Sequence, residues 1–153
     1  MKKTKLTWFT AIVLLLTVAF LLVACEETPP ELVSTDGITV KDDGQFLIGD
    51  YADVLVKFGS DRTVDSIQTG EDAAEAAITV WRDVYYYDRL EDSQYRPIDP
   101  LEGVGTIFFA YDKQNDCWLV RTENAPTTPP KTGAEHYMIV KSDGTVMAVW
   151  GLQ

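Results

Sequence analysis

Few side chains in this chain could build a reactive centre: one histidine, His136, and two cysteines, Cys25 and Cys117, among 24 acidic residues. A Ser-His-Asp or Cys-His arrangement would have to use His136, and no serine stands in a G-x-S-x-G context. His136 falls inside a strand pattern, where a hydrogen-bonded structural histidine is the expectation. Cys117 lies between Asp116 and Trp118. A nucleophilic thiol wants a low pKa and a nearby base. A neighbouring carboxylate opposes that, so Cys117 reads as a small buried hydrophobe. No Cys/His spacing fits zinc, Asp42-Asp43-Gly44 lacks the calcium-loop spacing, and there is no P-loop or dinucleotide glycine pattern. The acids at Asp42, Asp43, Asp112 and Asp116 stand in turn contexts, where solvation explains them. Counts leave a paired-carboxylate hydrolase open. The expectation is no catalytic residue, no metal and no cofactor.

Cys25 offers a different chemistry. Lys2, Lys3 and Lys5 precede an apolar run from Trp8 to Val23, and small Ala24 precedes the cysteine. A basic start, an apolar centre and a small residue before the cut are the parts of a secretory signal. The run is shorter than the roughly 20 residues of a spanning helix. Leu22-Val23-Ala24-Cys25, followed by Glu26-Glu27, resembles the lipobox of bacterial lipoproteins. That resemblance implies cleavage after Ala24, a lipid on the Cys25 sulfur, and a protein anchored on the extracytoplasmic face of the bacterial cell membrane. Residues 1–24 are then the signal. Residues 25–36, with Pro29-Pro30 and no apolar period, form a lipid-anchored tether, and residues 37–153 a single domain.

Removing 24 of 153 residues leaves 129, which suits one domain and a linker. The signal takes three lysines and no acid. The 13 basic and 24 acidic residues become 10 and 24, a formal charge of −14. Such a surface repels nucleic acid and anionic lipid headgroups, since both need basic patches; it attracts a basic protein partner, and also serves solubility alone. With its sulfur acylated, Cys25 cannot pair with Cys117, so the core alone must hold the fold.

The positioning elements follow from periodicity. Ile38 and Val40, Asp42-Asp43-Gly44, then Phe46 and Ile48 predict a small hairpin. Alternation at Val54, Val56 and Phe58 predicts a strand over 51–58. Thr69 to Tyr87 is the clearest helix, with a capping pattern at Thr69 and Asp72. Ala73, Ala74, Ala77, Ile78, Trp81, Val84 and Tyr85 form its apolar stripe, with Glu75, Thr79, Arg82 and Tyr86 on the other side. Gly103–Tyr111, Cys117–Thr122, His136–Val140 and Thr145–Trp150 are predicted strands, the last two joined at Asp143-Gly144. The fold class is α+β: one main amphipathic helix packed on an antiparallel meander, with Trp81 and Trp118 meeting in the interface.

Ala73 to Trp81 followed by Tyr85-Tyr86, then Tyr95-Arg96-Pro97-Ile98, then Cys117-Trp118-Leu119-Val120, then Gly133 and Tyr137 through Val146 stand in a telling order. From about residue 69 this order resembles the NTF2-fold immunity proteins of bacterial polymorphic-toxin systems, over about half of the chain. No glycine follows Tyr85 or Tyr86, Ile98 stands where an aromatic is usual, and Ala134 replaces a second glycine. The resemblance implies an NTF2/cystatin-like cone of sheet wrapped on a helix, no catalysis, and neutralisation of a toxin by direct binding. An anchored protein would meet a toxin acting outside the cytoplasm. Two alternatives stay open: a PepSY-like regulatory or inhibitory binding module, and an NTF2-like pocket that binds or transforms a small molecule. The expected partner site is the polar loop Glu123 to Lys131, stiffened by Pro126, Pro129 and Pro130, with the turn Asp112 to Asp116. Asp112, Asp116, Glu123 and Lys131 are its named residues.

Overall fold

The computed structural model describes residues 32–90, 97–126 and 134–152. Cys25 and Lys131 lie outside them. The elements run β1 (Thr39–Gln45), a 3-10 turn (Ile48–Tyr51), α1 (Ala52–Phe58), α2 (Gly70–Trp81) and a π-helical segment (Arg82–Tyr87) that closes with one α-helical turn (Asp88–Leu90). Then come β2 (Val104–Asp112), β3 (Cys117–Asn124), β4 (Glu135–Lys141) and β5 (Val146–Leu152). Strands β2 to β5 pair as an antiparallel meander. The class is α+β, with a five-stranded, mostly antiparallel sheet.

Helix α2 begins where the sequence places it. Asp72 N–H donates to Thr69 Oγ1 (3.1 Å), and Thr69 N–H donates back to Asp72 (2.9 Å), closing a capping box. Ala73, Ala74 and Ala77 are fully buried and let the helix lie close to β2, β3 and β4. Trp81 is also fully buried, and its indole N–H donates to the Tyr137 carbonyl at 3.2 Å. Trp118 lies on the same face of the sheet. The ring contacts run from Trp81 to His136 and from Trp118 to Phe109 and Tyr111, not from indole to indole.

Three sequence expectations are corrected. The hairpin around Asp42-Asp43-Gly44 does not form. That stretch is β1 itself, which pairs in parallel with β2, and Gly44 takes φ +87° in a bulge while its N–H bonds Asp42 Oδ1. Residues 51–58 are the end of the 3-10 turn and helix α1, not a strand. Tyr51, Val54, Leu55 and Phe58 carry a helical spacing of three and four and pack on the sheet, whereas Val56 is 89% exposed. Tyr86, expected outside, is buried. After Trp81 the backbone bonds i→i+5, as Asp88 N–H does to Asp83, and the widened turn brings Tyr86 inward.

The sheet is therefore covered on both faces. Helix α2 covers one. On the other, Phe46, Tyr51 and Phe58 gather with Trp150, which stacks on Tyr137 at 5.0 Å. The edge of β5 is closed by residues 59–67: Ser60 N–H bonds the Met147 carbonyl, Val64 N–H the Gly144 carbonyl and Ile67 N–H the Ser142 carbonyl. The other edge, β1, is exposed throughout but carries Lys41, Asp42, Asp43 and the bulge, devices that discourage edge-to-edge pairing.

Packing reaches back past Gly37, where the sequence places the domain start. Asp99 Oδ2 accepts from Val33 N–H (2.9 Å) and from the Arg82 guanidinium (3.1 Å), and Arg82 also donates to the Val33 carbonyl (2.6 Å). The Asp99 side chain is 3% exposed and that of Arg82 17%. Among the described residues no helix is long and apolar enough to cross a membrane.

Candidate functional site

The loop that starts at Glu123 and the turn Asp112 to Asp116 do not adjoin. They sit at opposite ends of β3, whose eight residues span about 25 Å. Sequence order conceals this, because a meander sends alternate connections to opposite ends of the sheet.

At the turn end the acids are already engaged. Asp112 is 2% exposed and accepts from Ile48 N–H (2.9 Å), Gln114 N–H (2.9 Å), Asn115 N–H (3.1 Å) and the Asn115 side chain (2.8 Å). These bonds, the one from Ile48 first, hold its carboxyl below the usual range. Asp112 thus caps the turn and pins the 3-10 segment across the sheet. Asp116, at φ +51°, accepts from the Tyr111 hydroxyl (2.6 Å) and the Ser142 hydroxyl (2.7 Å), tying the β2–β3 turn to the β4–β5 turn. Its carboxyl is held low by these two bonds, and the Tyr111 hydroxyl is pushed up in return.

Glu123 belongs to a different group, on the half of the second sheet face beyond α1. Register sets Phe108 opposite Arg121, Arg121 opposite Tyr137, and Lys41 opposite Phe108. The Arg121 guanidinium lies over the Phe108 ring at 4.1 Å. It also bonds Asp43 (3.1 Å) and faces Glu123 (3.6 Å). Beside it Tyr137 donates its hydroxyl to Glu135. Burial, then that bond, pushes the Tyr137 hydroxyl up to about 12, so it stays a donor at any physiological pH. An arginine thus sits over one aromatic ring, beside a second and between carboxylates; arginine and tyrosine are residue types enriched at hot spots of protein interfaces. Sequence reasoning missed Phe108, Arg121 and Tyr137. Counting back from the Asp112–Cys117 turn sets Phe108 opposite Arg121 and could have found that pair.

The remaining reactive groups are apart from each other. Cys117 is fully buried, and burial, then the charge of Asp112, pushes its thiol up to about 11, the inert state expected of it. His136 lies beneath Tyr85 (ring centroids 4.7 Å) and Trp81 (6.0 Å). Burial, then the charge of Arg89, depresses its imidazole to about 4, with Asp99 opposing. The histidine expected to be hydrogen-bonded leaves its buried Nδ1 without a partner among the described residues, as does the Trp118 indole N–H. Among the described residues no group of three or more His, Cys, Asp or Glu is arranged to hold a metal ion. No family model, no curated protein and no solved structure matches this chain.

Proposed function

We propose that this protein is a lipid-anchored, extracytoplasmic binding protein that recognises a protein partner through the Phe108–Arg121–Tyr137 patch and does no chemistry. The observation that carries the reading is Arg121 itself: partly open to solvent, preorganised over Phe108, and framed by Asp43 and Glu123. Preorganisation lowers the ordering cost of binding, and the surrounding acids suit a partner with basic residues around an apolar centre. The anchor is read from Leu22-Val23-Ala24-Cys25 and its apolar leader.

Within that reading the partner is a toxin acting outside the cytoplasm, neutralised by direct binding, as the resemblance to NTF2-fold immunity proteins implies. An amphipathic helix of Ala-Ala-Ile-Trp type laid on a meander whose last turn is Asp143-Gly144 supports it in outline. The parallel β1 and the second helix α1 are features that the resemblance does not supply. The partner patch now includes Glu123 and leaves out Asp112 and Asp116. Capture of cross-linked proteins from native membranes, with the full lipoprotein as bait, tests the function. A specific partner with no homology to a protease or sensor kinase supports immunity. A protease or sensor as partner would replace it with the PepSY-like regulatory role.

A further inference from the structure

The point where the chain leaves the domain is fixed. Val33 is held by Arg82 and Asp99, so Leu32 starts beside the end of the π-helical segment. Only residues 26–31 separate Cys25 from Leu32. Fully extended, that stretch reaches about 25 Å. Around the exit stand large apolar side chains with little cover: Leu32, Tyr87, Leu90 and Ile98, the last 60% exposed. The Val33–Asp99 bond brings the chain that follows Leu32 to the residue that follows Ile98. Tyr87 follows Arg82 by five residues, one turn of the i→i+5 segment, so it stands near the side that Arg82 presents to Asp99, and Leu90 closes the α-helical turn that follows. Arg89, beside them, makes no ion pair among the described residues.

We infer that this end of the domain rests on the lipid bilayer that holds the acyl chains of Cys25. Apolar side chains, a tyrosine and an exposed arginine at one end are what a bilayer interface selects: the apolar groups enter the headgroup region, the phenol sits at its level, and the guanidinium meets phosphate. The short tether adds the second argument, since it cannot carry the exit far from the surface. With the exit on the α2 side of the sheet, the Phe108–Arg121 patch on the other face stays open to a partner. The inference rests on the reading of Cys25 as the lipid anchor.

The test uses the full lipoprotein, its acylation at Cys25 established by the mass of its N-terminal peptide. Single cysteines replace Ile98 (Ile98→Cys), Leu90 (Leu90→Cys) or, at the far end in the β2–β3 turn, Lys113 (Lys113→Cys). Each carries an environment-sensitive fluorophore, and buried Cys117 does not compete for label. The proteins are placed in phosphatidylethanolamine–phosphatidylglycerol vesicles containing a headgroup-nitroxide lipid. Quenching at positions 98 and 90 should exceed that at 113 several-fold. Equal quenching at all three with Cys25 acylated would overturn the bilayer contact and leave the anchor standing. An unacylated, uncleaved Cys25 would overturn the anchor and this inference with it.

Discussion

His136 is the chain's one histidine, so its titration can be read without overlap. Burial beneath Tyr85 and Trp81, and the charge of Arg89, depress it to about 4, against roughly 6.5 in an unfolded chain. The neutral ring is the form that the fold favours. Its contribution is therefore present above about pH 6.5 and is lost as the pH falls toward 4, where the unfolded chain binds the extra proton. A shift of this size is worth on the order of 3 kcal/mol. Denaturant unfolding at pH 7 and pH 4.5 should show the native protein losing much of that, and His136→Phe, which keeps a ring between Tyr85 and Trp81, losing far less. Equal losses would place the acid sensitivity elsewhere. Asp112 and Asp116 teach a related lesson at the same scale. Each reads in the sequence as a free surface acid, and each is a turn acid already bonded, Asp112 through both carboxylate oxygens and Asp116 through Oδ1. Only the fold reveals the donors, because Ile48 and Ser142 come from far along the chain.

Among the elements, the strap over β5 depends on one glycine. Gly144 takes φ +89°, and a Cβ built there would meet the Val64 carbonyl at 2.1 Å. Backbone strain and overpacking together make Gly144→Ala a loss of roughly 2–4 kcal/mol. Faster hydrogen exchange at Val64 and Ile67 should accompany it. Unchanged exchange there, with unchanged stability, would show that the strap does not rest on this turn. Elements with strong local signals were legible in the sequence. The capping residues and alanine stripe found α2, and the turns at Asp112–Asp116 and Asp143-Gly144 found the β2–β5 meander. What failed needed distant partners. An Asp-Gly step serves a hairpin or a bulge equally well, and only the pairing of β1 with β2, some 65 residues on, decides between them. In 51–58 both a period of two and a spacing of three to four are present, and the aromatic cluster around Trp150 selects the helix.

Taken whole, the protein is read as a domain carried by a lipid and turned so that one sheet face looks outward. Cys25→Ser should remove the anchor, so that fractionation finds the protein released or mislocalised. A variant that stays in the membrane with its leader uncut would show a helical anchor instead. The partner patch was legible only in part. Glu123 was chosen for its loop, while Arg121 became a candidate once register set it on Phe108 and beside Asp43. The central claim is that this patch binds a protein partner, and affinity tests it most directly. With the partner captured from native membranes and purified, binding to the native domain, Arg121→Ala, Phe108→Ala and Asp116→Ala should be compared at two salt concentrations. The account predicts that the first two weaken binding by about tenfold or more, as truncation of a hot-spot arginine or aromatic does. Asp116→Ala should leave affinity unchanged. Unaltered affinity in both patch variants, with their folds intact, would contradict it.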